Sequence, residues 1–473
     1  MDKPICFERS LAEQNLPMLA RLDYDILFIL LSEIDSPQTL LYLAVASRAM
    51  RDLIIPRFLF ASVSCTSPDQ LFAFERSLIV GDSMAGDAVR HLNLDLNAAF
   101  AGTAANIVER LNNLQSVVVS GYWCHKPRML KTIASRPRLR SLELAERFLY
   151  SLEALRKLKG LVRLKIDHAR LPISPESDLG NILSNSRDTL QELSVDCRLW
   201  DFPPPFPDSE NRSGKEWVWP YVHTLNCVHG VPENPAFTRS FPSVRFFVPM
   251  VHKADWLQQP CNSHFVCRLE SFEGSLNDME CARAAGAQLR RAVVSPGALS
   301  AADGLKSESY FSSRLRSLDL HLENSSPECL ERLLDVAPNL TFLKLSLSIE
   351  RRGLKAMIST LNQILRCISL LYLSYLRIGV RITARGHSAA GQKDFVRTYP
   401  ELRFIPLVDD LFPDLRAVSL DWTSSHSTWS AQRLDWKKTV DDEGTCRLQA
   451  VSNRDGIKWM EYYDWAWRDE VLG

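Results

Sequence analysis

The densest group of side chains able to do chemistry is Cys261-Asn262-Ser263-His264-Phe265-Val266-Cys267, with His252 and Cys281 nearby. Cysteine and histidine are preferred zinc ligands, but a structural site takes four of them, usually with one tight Cys-x-x-Cys type pair. No such pair occurs, so the stretch reads as ordinary loop and core residues. The chain also lacks a Gly-x-Ser-x-Gly elbow, a Gly-x-x-x-x-Gly-Lys phosphate loop, a Gly-x-Gly-x-x-Gly turn and a His-Glu-x-x-His helix. Its ten histidines are scattered, and His91 and His223 fall at polar positions of predicted strands. Asp409-Asp410 and Asp441-Asp442 fall in predicted loops, where a solvated face is expected rather than acid–base work. The expectation is a non-enzyme with no metal and no cofactor. A hydrolase built on the Cys261 region is a further alternative.

With reactive chemistry set aside, the informative residues are those that stick. Asp23 can cap a helix whose apolar residues Ile26, Leu27, Ile29, Leu30 and Ile34 recur at three-to-four spacing. Ser36-Pro37 is a start signal for a second helix carrying Leu40, Leu41 and Leu43, since proline at the first helical position loses no hydrogen bond. Ser47 can cap a third helix through Arg48, Arg51 and Leu53, which Pro56 closes. Three short helices within about forty residues could simply be the end cap of a larger fold, because a solenoid must cover its open core.

The same residues resemble a family. Leu22-Asp23-Tyr24-Asp25-Ile26-Leu27, Ile29-Leu30, Ile34, Thr39-Leu40, Leu43, Ala46-Ser47-Arg48 and Arg51-Asp52-Leu53 are similar to an F-box, the adaptor-docking module of ubiquitin-ligase substrate receptors. The usual Leu-Pro opening is here Leu22-Asp23, the usual Cys-Arg is Ser47-Arg48, and a common tryptophan position holds Met50. The resemblance, to F-box proteins of the fungal type with degenerate leucine-rich repeats, covers residues 16–60. It implies docking on a Skp adaptor, and through it a cullin. The implied apolar contacts are Leu22, Ile26, Leu27, Leu30, Leu40, Leu43 and Met50, with Arg48 and Arg51 adding polar ones.

Composition narrows the partners. Lys plus Arg equals Asp plus Glu, 56 against 56, with no long basic run, so neither nucleic acid nor an anionic membrane is expected as a general partner. Hydrophobic residues at 46% allow a large core. No apolar run approaches the roughly 20 residues of a membrane span, and Met1 to Ser10 lacks a signal-peptide core. An intracellular protein, cytoplasmic and/or nuclear, is expected, its eleven cysteines reduced and mostly buried.

Beyond Gly81 bursts of the form Leu-x-x-Leu-x-Leu recur, starting at 89, 114, 139 and 161, then less regularly at 190, 222, 244, 269, 289, 315, 340, 370 and 415. This spacing matches leucine-rich repeats, each giving one short parallel strand and a returning helix or loop. Alternate apolar side chains should enter a common core while the intervening polar ones face solvent on a concave sheet. Pro137, Pro242, Pro338 and Pro413 precede strands, where each ends the returning segment and forces an extended entry. Helices are predicted at Glu328 to Val336 and Leu354 to Leu365, and loops at 202–220, 295–313 and 383–394.

The expected fold is therefore α/β: a three-helix F-box over 16–60, a linker or first helical cap over 61–88, a right-handed leucine-rich-repeat-like solenoid over 89–456, and a C-terminal aromatic helix over 457–473. Met460, Tyr463, Trp467 and Val471 share one face of that helix and would cap the last repeat, leaving Trp459, Tyr462 and Trp465 as candidate partner anchors. The resemblance implies the substrate-recognition subunit of a Skp-cullin-F-box ubiquitin ligase, with the repeats binding a protein substrate for degradation. The alternative is a leucine-rich-repeat interaction scaffold with no ligase role.

Overall fold

The computed structural model describes residues 24–32, 34, 37–80, 84–95, 98–120, 127–145, 152–167, 172–202, 217–232, 235–249, 254–295, 311–323, 330, 337–350, 354–383, 399–424, 432–440 and 446–472. The chain forms two compact units, Met1–Phe202 and Pro203–Gly473.

The first unit opens with helices α1 (Tyr24–Ser32), α2 (Pro37–Ala46) and α3 (Arg48–Ile54). The hydroxyl of Ser47 caps α3 by accepting from the Met50 N–H at 3.1 Å, satisfying one of the donors that a helix start leaves unpaired. Pro56 lies in a wide π turn, Ile55–Leu59, which continues α3. Strands β1 (Ser62–Cys65), β2 (His91–Asp95), β3 (Ser116–Ser120), β4 (Ser141–Ala145), β5 (Arg163–Asp167) and β6 (Glu192–Val195) follow, each pairing in parallel with the next. Return segments include helices Pro68–Val80, Ala101–Glu109, Pro127–Ala134 and Asp178–Asn185.

The second unit contains β7 (Thr224–Cys227), β8 (Phe246–Pro249), β9 (Ser271–Gly274), β10 (Arg291–Val294), β11 (Ser317–Glu323), β12 (Phe342–Glu350), β13 (Tyr375–Thr383), β14 (Ala417–Ser424), β15 (Gln432–Val440) and β16 (Cys446–Val451). Pairing is parallel from β7 to β14, but β14–β15 and β15–β16 are antiparallel. The helix Asn453–Leu472 ends the chain.

One backbone device sets the register in both units. At the start of a repeat strand, the amides of its first residue and of the residue before it donate to a single carbonyl of the preceding repeat. The Gln115 and Ser116 N–H groups reach the Arg90 carbonyl at 2.8 and 2.9 Å, and those of Arg140 and Ser141 reach Gln115 at 2.8 and 2.9 Å. In the second unit the Arg316 and Ser317 pair meets the Arg290 carbonyl at 2.7 and 3.0 Å. The apolar residue opening twelve of the thirteen bursts is buried: Val89, Leu114, Leu139, Leu161, Leu190, Val222, Val244, Leu269, Leu289, Leu315, Leu340 and Leu415 are all 3% exposed or less. Each lies two residues before its strand, and the strand then alternates core-ward and outward side chains, as in the pattern seen for β3 and β4. Pro137, Pro242, Pro338 and Pro413 all sit in turns just ahead of strands.

Several expectations are corrected. Parallel strands begin one repeat earlier than the first leucine burst, because β1 lies within 61–88 and pairs with β2. The burst at Leu370 is out of register: Leu370 is 68% exposed, while Leu373 is buried two residues before β13. The sheet is not parallel throughout, since the second unit closes with the antiparallel β14–β15–β16 set. Asp409 and Asp410 lie in the helix Ile405–Leu411 rather than in a loop. Leu354–Ile368 is helical as expected, whereas the helix predicted at 328–336, residue 330 apart, and most of the three predicted loops fall outside the described residues.

Candidate functional site

The N-terminal helices divide their apolar residues between inside and outside. Leu27, Leu31, Leu40, Ala44, Met50, Leu53 and Ile54 form one core, on which Ile34, Leu43, Ile55, Phe58 and Leu59 pack. The Phe28 and Phe58 rings add a contact at 5.0 Å. Left outside are Ile26, Ile29 and Leu30 on α1 and Leu41, Tyr42 and Val45 on α2, with Tyr42 67% and Val45 77% exposed. Arg48 and Arg51 are exposed on α3. Of the residues expected to contact an adaptor, Ile26, Leu30, Arg48 and Arg51 therefore stand at the surface. Leu27, Leu40 and Met50 are in the helical core, Leu43 is half-buried against it, and Leu22 lies outside the described residues. Leu41 is read in the sequence as an apolar residue of the second helix but not as an adaptor contact, and Tyr42 and Val45 are not singled out at all. Their signal was available as the α2 positions left over once Leu40 and Ala44 had filled the inward stripe.

The strand faces carry the second candidate surface. In the first unit Lys165 bridges Glu143 at 2.6 Å and Asp167 at 3.5 Å, and Arg163 meets Glu192 at 2.7 Å. Burial works against the Lys165 charge, but the two carboxylates more than reverse it and its pKa is raised. Burial, aided by Arg90, lowers that of His91.

In the second unit the outward residues that open β7 to β14, Thr224, Phe246, Ser271, Arg291, Ser317, Phe342, Tyr375 and Ala417, form one register row, which Lys437 within β15 continues opposite Ala417. Alternation assigns this row to solvent. Instead Phe246, Ser271, Ser317, Phe342, Tyr375 and Ala417 are buried, because the helix Asn453–Leu472 lies over them. This corrects the expected end cap. Met460 and Tyr463 pack on the cluster of Phe342, Tyr375 and Ala417. The Tyr463 ring stacks on Tyr375 at 5.7 Å, and Tyr375 on Phe342 at 4.9 Å. Trp459 covers the Lys437 ammonium at 4.0 Å, and Trp465 meets the Phe246 ring edge-on at 5.4 Å. The side chains of Trp467 and Val471, also expected on the capping face, fall outside the described residues.

Asp464 ties this helix to two strands. Arg291 donates to both its oxygens at 2.8 Å, and the Ser317 hydroxyl adds a third bond at 2.6 Å. Beneath the helix start, the buried Asp435 accepts from Arg433 at 2.8 Å and from Ser419, whose hydroxyl also meets the Tyr375 hydroxyl at 2.6 Å. Burial pushes the Tyr375 phenol up to about 12. Burial also raises the Glu273 carboxyl against the opposing pull of Arg291. The helix approaches closely only because residue 456 is glycine: a Cβ there would lie 2.0 Å from the Asp435 Cγ.

The cysteine–histidine stretch is used otherwise. His264 meets the Arg268 guanidinium at 2.6 Å, and Cys281 is buried, accepting from the Gln258 amide at 3.1 Å. Among the described residues no three His, Cys, Asp or Glu side chains converge where a metal ion could sit. Nor is any helix among them long and apolar enough to cross a membrane.

The near-regular parallel strands give the chain a leucine-rich-repeat-like fold. No model of a known protein family matches the chain, and no curated protein matches it. Among solved structures it is similar to the Rad7 and Elc1 complex of yeast, with 16% identity over 68% of this chain and 85% of that one and a TM-score of 0.34. It is also similar to an internalin from Listeria monocytogenes, with 12% identity over 73% of this chain and 78% of that one and a TM-score of 0.23.

Proposed function

We propose that the chain is a non-catalytic substrate receptor of a Skp-cullin-F-box ubiquitin ligase, with α1–α3 forming an F-box that docks a Skp adaptor and the strand faces holding a protein substrate. The observation that carries this reading is the apolar surface of Ile26, Leu30, Leu41, Tyr42 and Val45, exposed on helices whose own core is already filled by other residues. Apolar side chains left outside a completed core cost solubility without adding to that core, and several of them on one small module are what a protein–protein contact uses. Such a receptor contributes no reacting group. It raises the effective concentration of a substrate lysine near a charged ubiquitin-conjugating enzyme.

The test is binding of the full chain to a purified Skp adaptor, compared with the Ile26→Asp/Leu30→Asp variant. Removing two aliphatic anchors worth roughly 1.5–3 kcal/mol each should weaken binding at least a hundredfold while circular dichroism stays unchanged. If the intact, folded chain does not bind the adaptor, the receptor reading falls and a leucine-rich-repeat interaction scaffold takes its place.

A further inference from the structure

We infer that the strand row beneath the C-terminal helix is a recognition seat for a partner's helix bearing an aromatic–carboxylate–aromatic triplet, and that the chain's own helix is its displaceable occupant. This rests on reading the repeats as a protein-recognition surface, and not on adaptor docking at α1–α3.

The geometry is that of a ligand in a groove. From Trp459 to Arg468 the helix climbs about 14 Å at ~1.5 Å per residue. The strands it touches, β8 to β15, span seven spacings, or about 34 Å at ~4.8 Å each. A straight helix lying along a flat row could not make these contacts. The contacting residues instead advance round the helix. At roughly 100° per residue Trp459, Tyr463, Met460, Asp464, Arg468 and Trp465 stand at about 0°, 40°, 100°, 140°, 180° and 240°. In that order their partners run from β15, through the β12–β14 cluster and β10–β11, to β8, with Trp465 also reaching back to β10. The line of contact therefore turns round the helix from its start to its end, while Ile457 and Glu461, at about 160° and 200° near the start, stay exposed.

The chemistry of the contact is that of an interface rather than of a core. Its centre is a bidentate arginine–carboxylate pair with a hydroxyl closing the third side, flanked by Tyr463 on Tyr375 and by Trp465 against Phe246 and Arg291. A fork of two parallel N–H donors reads a carboxylate by its geometry, and rigid aromatic anchors beside it supply area at little entropy cost. The fit loosens toward the end of the helix. The Arg468 guanidinium reaches His223 only at 3.4 Å, and its buried Nε has no hydrogen-bond partner. The same seat would accept any helix that places a carboxylate on Arg291 and Ser317 with an aromatic residue on each side.

The experiment uses the full chain and, as probe, a fluorescent peptide of residues 453–472. In the unmodified chain, hydrogen exchange should show the amides of 453–472 opening at least tenfold faster than those of β9–β13, because the helix leaves while the sheet stays. The Asp464→Ala chain, its own helix loosened, should bind the peptide at least tenfold more tightly than wild type, and Arg291→Ala in the same chain should abolish that gain. Co-opening of helix and sheet would make the helix part of the core and overturn the inference, even if the Asp464→Ala chain does not fold. Equal peptide binding by wild type and Asp464→Ala, both folded, would also overturn it. Adaptor binding measured on the same samples reports on α1–α3 alone, so its loss would strike the receptor reading and leave this inference standing.

Discussion

Replacing Gly456 by alanine sets two physical arguments against each other. Intrinsic helix propensity favours the change by up to about 1 kcal/mol, since glycine in a helix gives up more backbone freedom than alanine. Local packing opposes it. The added Cβ would stand 2.0 Å from Asp435 Cγ, 2.2 Å from its Oδ2 and 2.4 Å from its Cβ, whereas carbon atoms in contact sit at about 3.5–4.0 Å. Something must move by about 1.5 Å. Asp435 is held: it is 3% exposed, bonded by Arg433 and Ser419. Pulling it off would leave a buried charge unpaired, which costs roughly 3–5 kcal/mol. Lifting the start of the helix is cheaper, at about 1–3 kcal/mol for an overpacked contact, so the helix gives way. The net expectation is a loss of roughly 1–2 kcal/mol, read as faster hydrogen exchange across 453–463 and a lower denaturation midpoint for the second unit. If the Gly456→Ala chain is more stable than wild type, with the helix amides better protected, the close approach is refuted.

Three further changes probe the rest of the molecule. Ile54→Ala empties the centre of the N-terminal helical core and should cost about 2–5 kcal/mol, whereas Ile26→Asp on the exposed face should change stability by less than about 0.5 kcal/mol; thermal unfolding of both variants checks the division between inside and outside. Tyr375 has its folded-state pKa raised from 10 to about 12 by burial, so the stability it confers is complete below pH 10 and is lost as pH rises from 10 toward 12. The loss should reach about 3 kcal/mol, and denaturation midpoints of the Tyr375→Phe variant should fall less steeply over that window, with Tyr399 keeping its own dependence.

The strands were legible because their signal is local. A buried leucine followed by two alternating outward residues needs only its own repeat to be recognised, and this located twelve of the thirteen expected strands. Leu370 misled because Leu370-Leu371-Tyr372-Leu373 offers several registers. The choice among them is made by the Ser374 and Tyr375 amides, which both donate to the Thr341 carbonyl. β15 and β16 were missed because hairpin strands half-open to solvent carry no leucine signature. The seat on the second unit was invisible for a different reason. Arg291, Ser317 and Tyr375 sit at positions that alternation gives to water, and it takes a helix distant in sequence, 173 residues on for the Arg291–Asp464 pair and 147 for Ser317–Asp464, to bury them. For the N-terminal helices the apolar stripe was readable, but which of its residues point inward depends on how three helices meet.

The paired amides that share one carbonyl ahead of each strand have a consequence for how such a chain can change over time. They fix where a strand must begin, whatever the length of chain that arrives there. Burst openings 22 residues apart, at 139 and 161, and 29 apart, at 161 and 190, end in the same two-donor anchor. Insertions and deletions between anchors should therefore leave the neighbouring repeats undisturbed, whereas a proline in place of Ser116 or Arg140, which removes one of the two donors, should not be tolerated. Outline and loops can drift while the spine is conserved, so resemblance between such proteins survives in backbone register long after it has faded from the letters of the sequence.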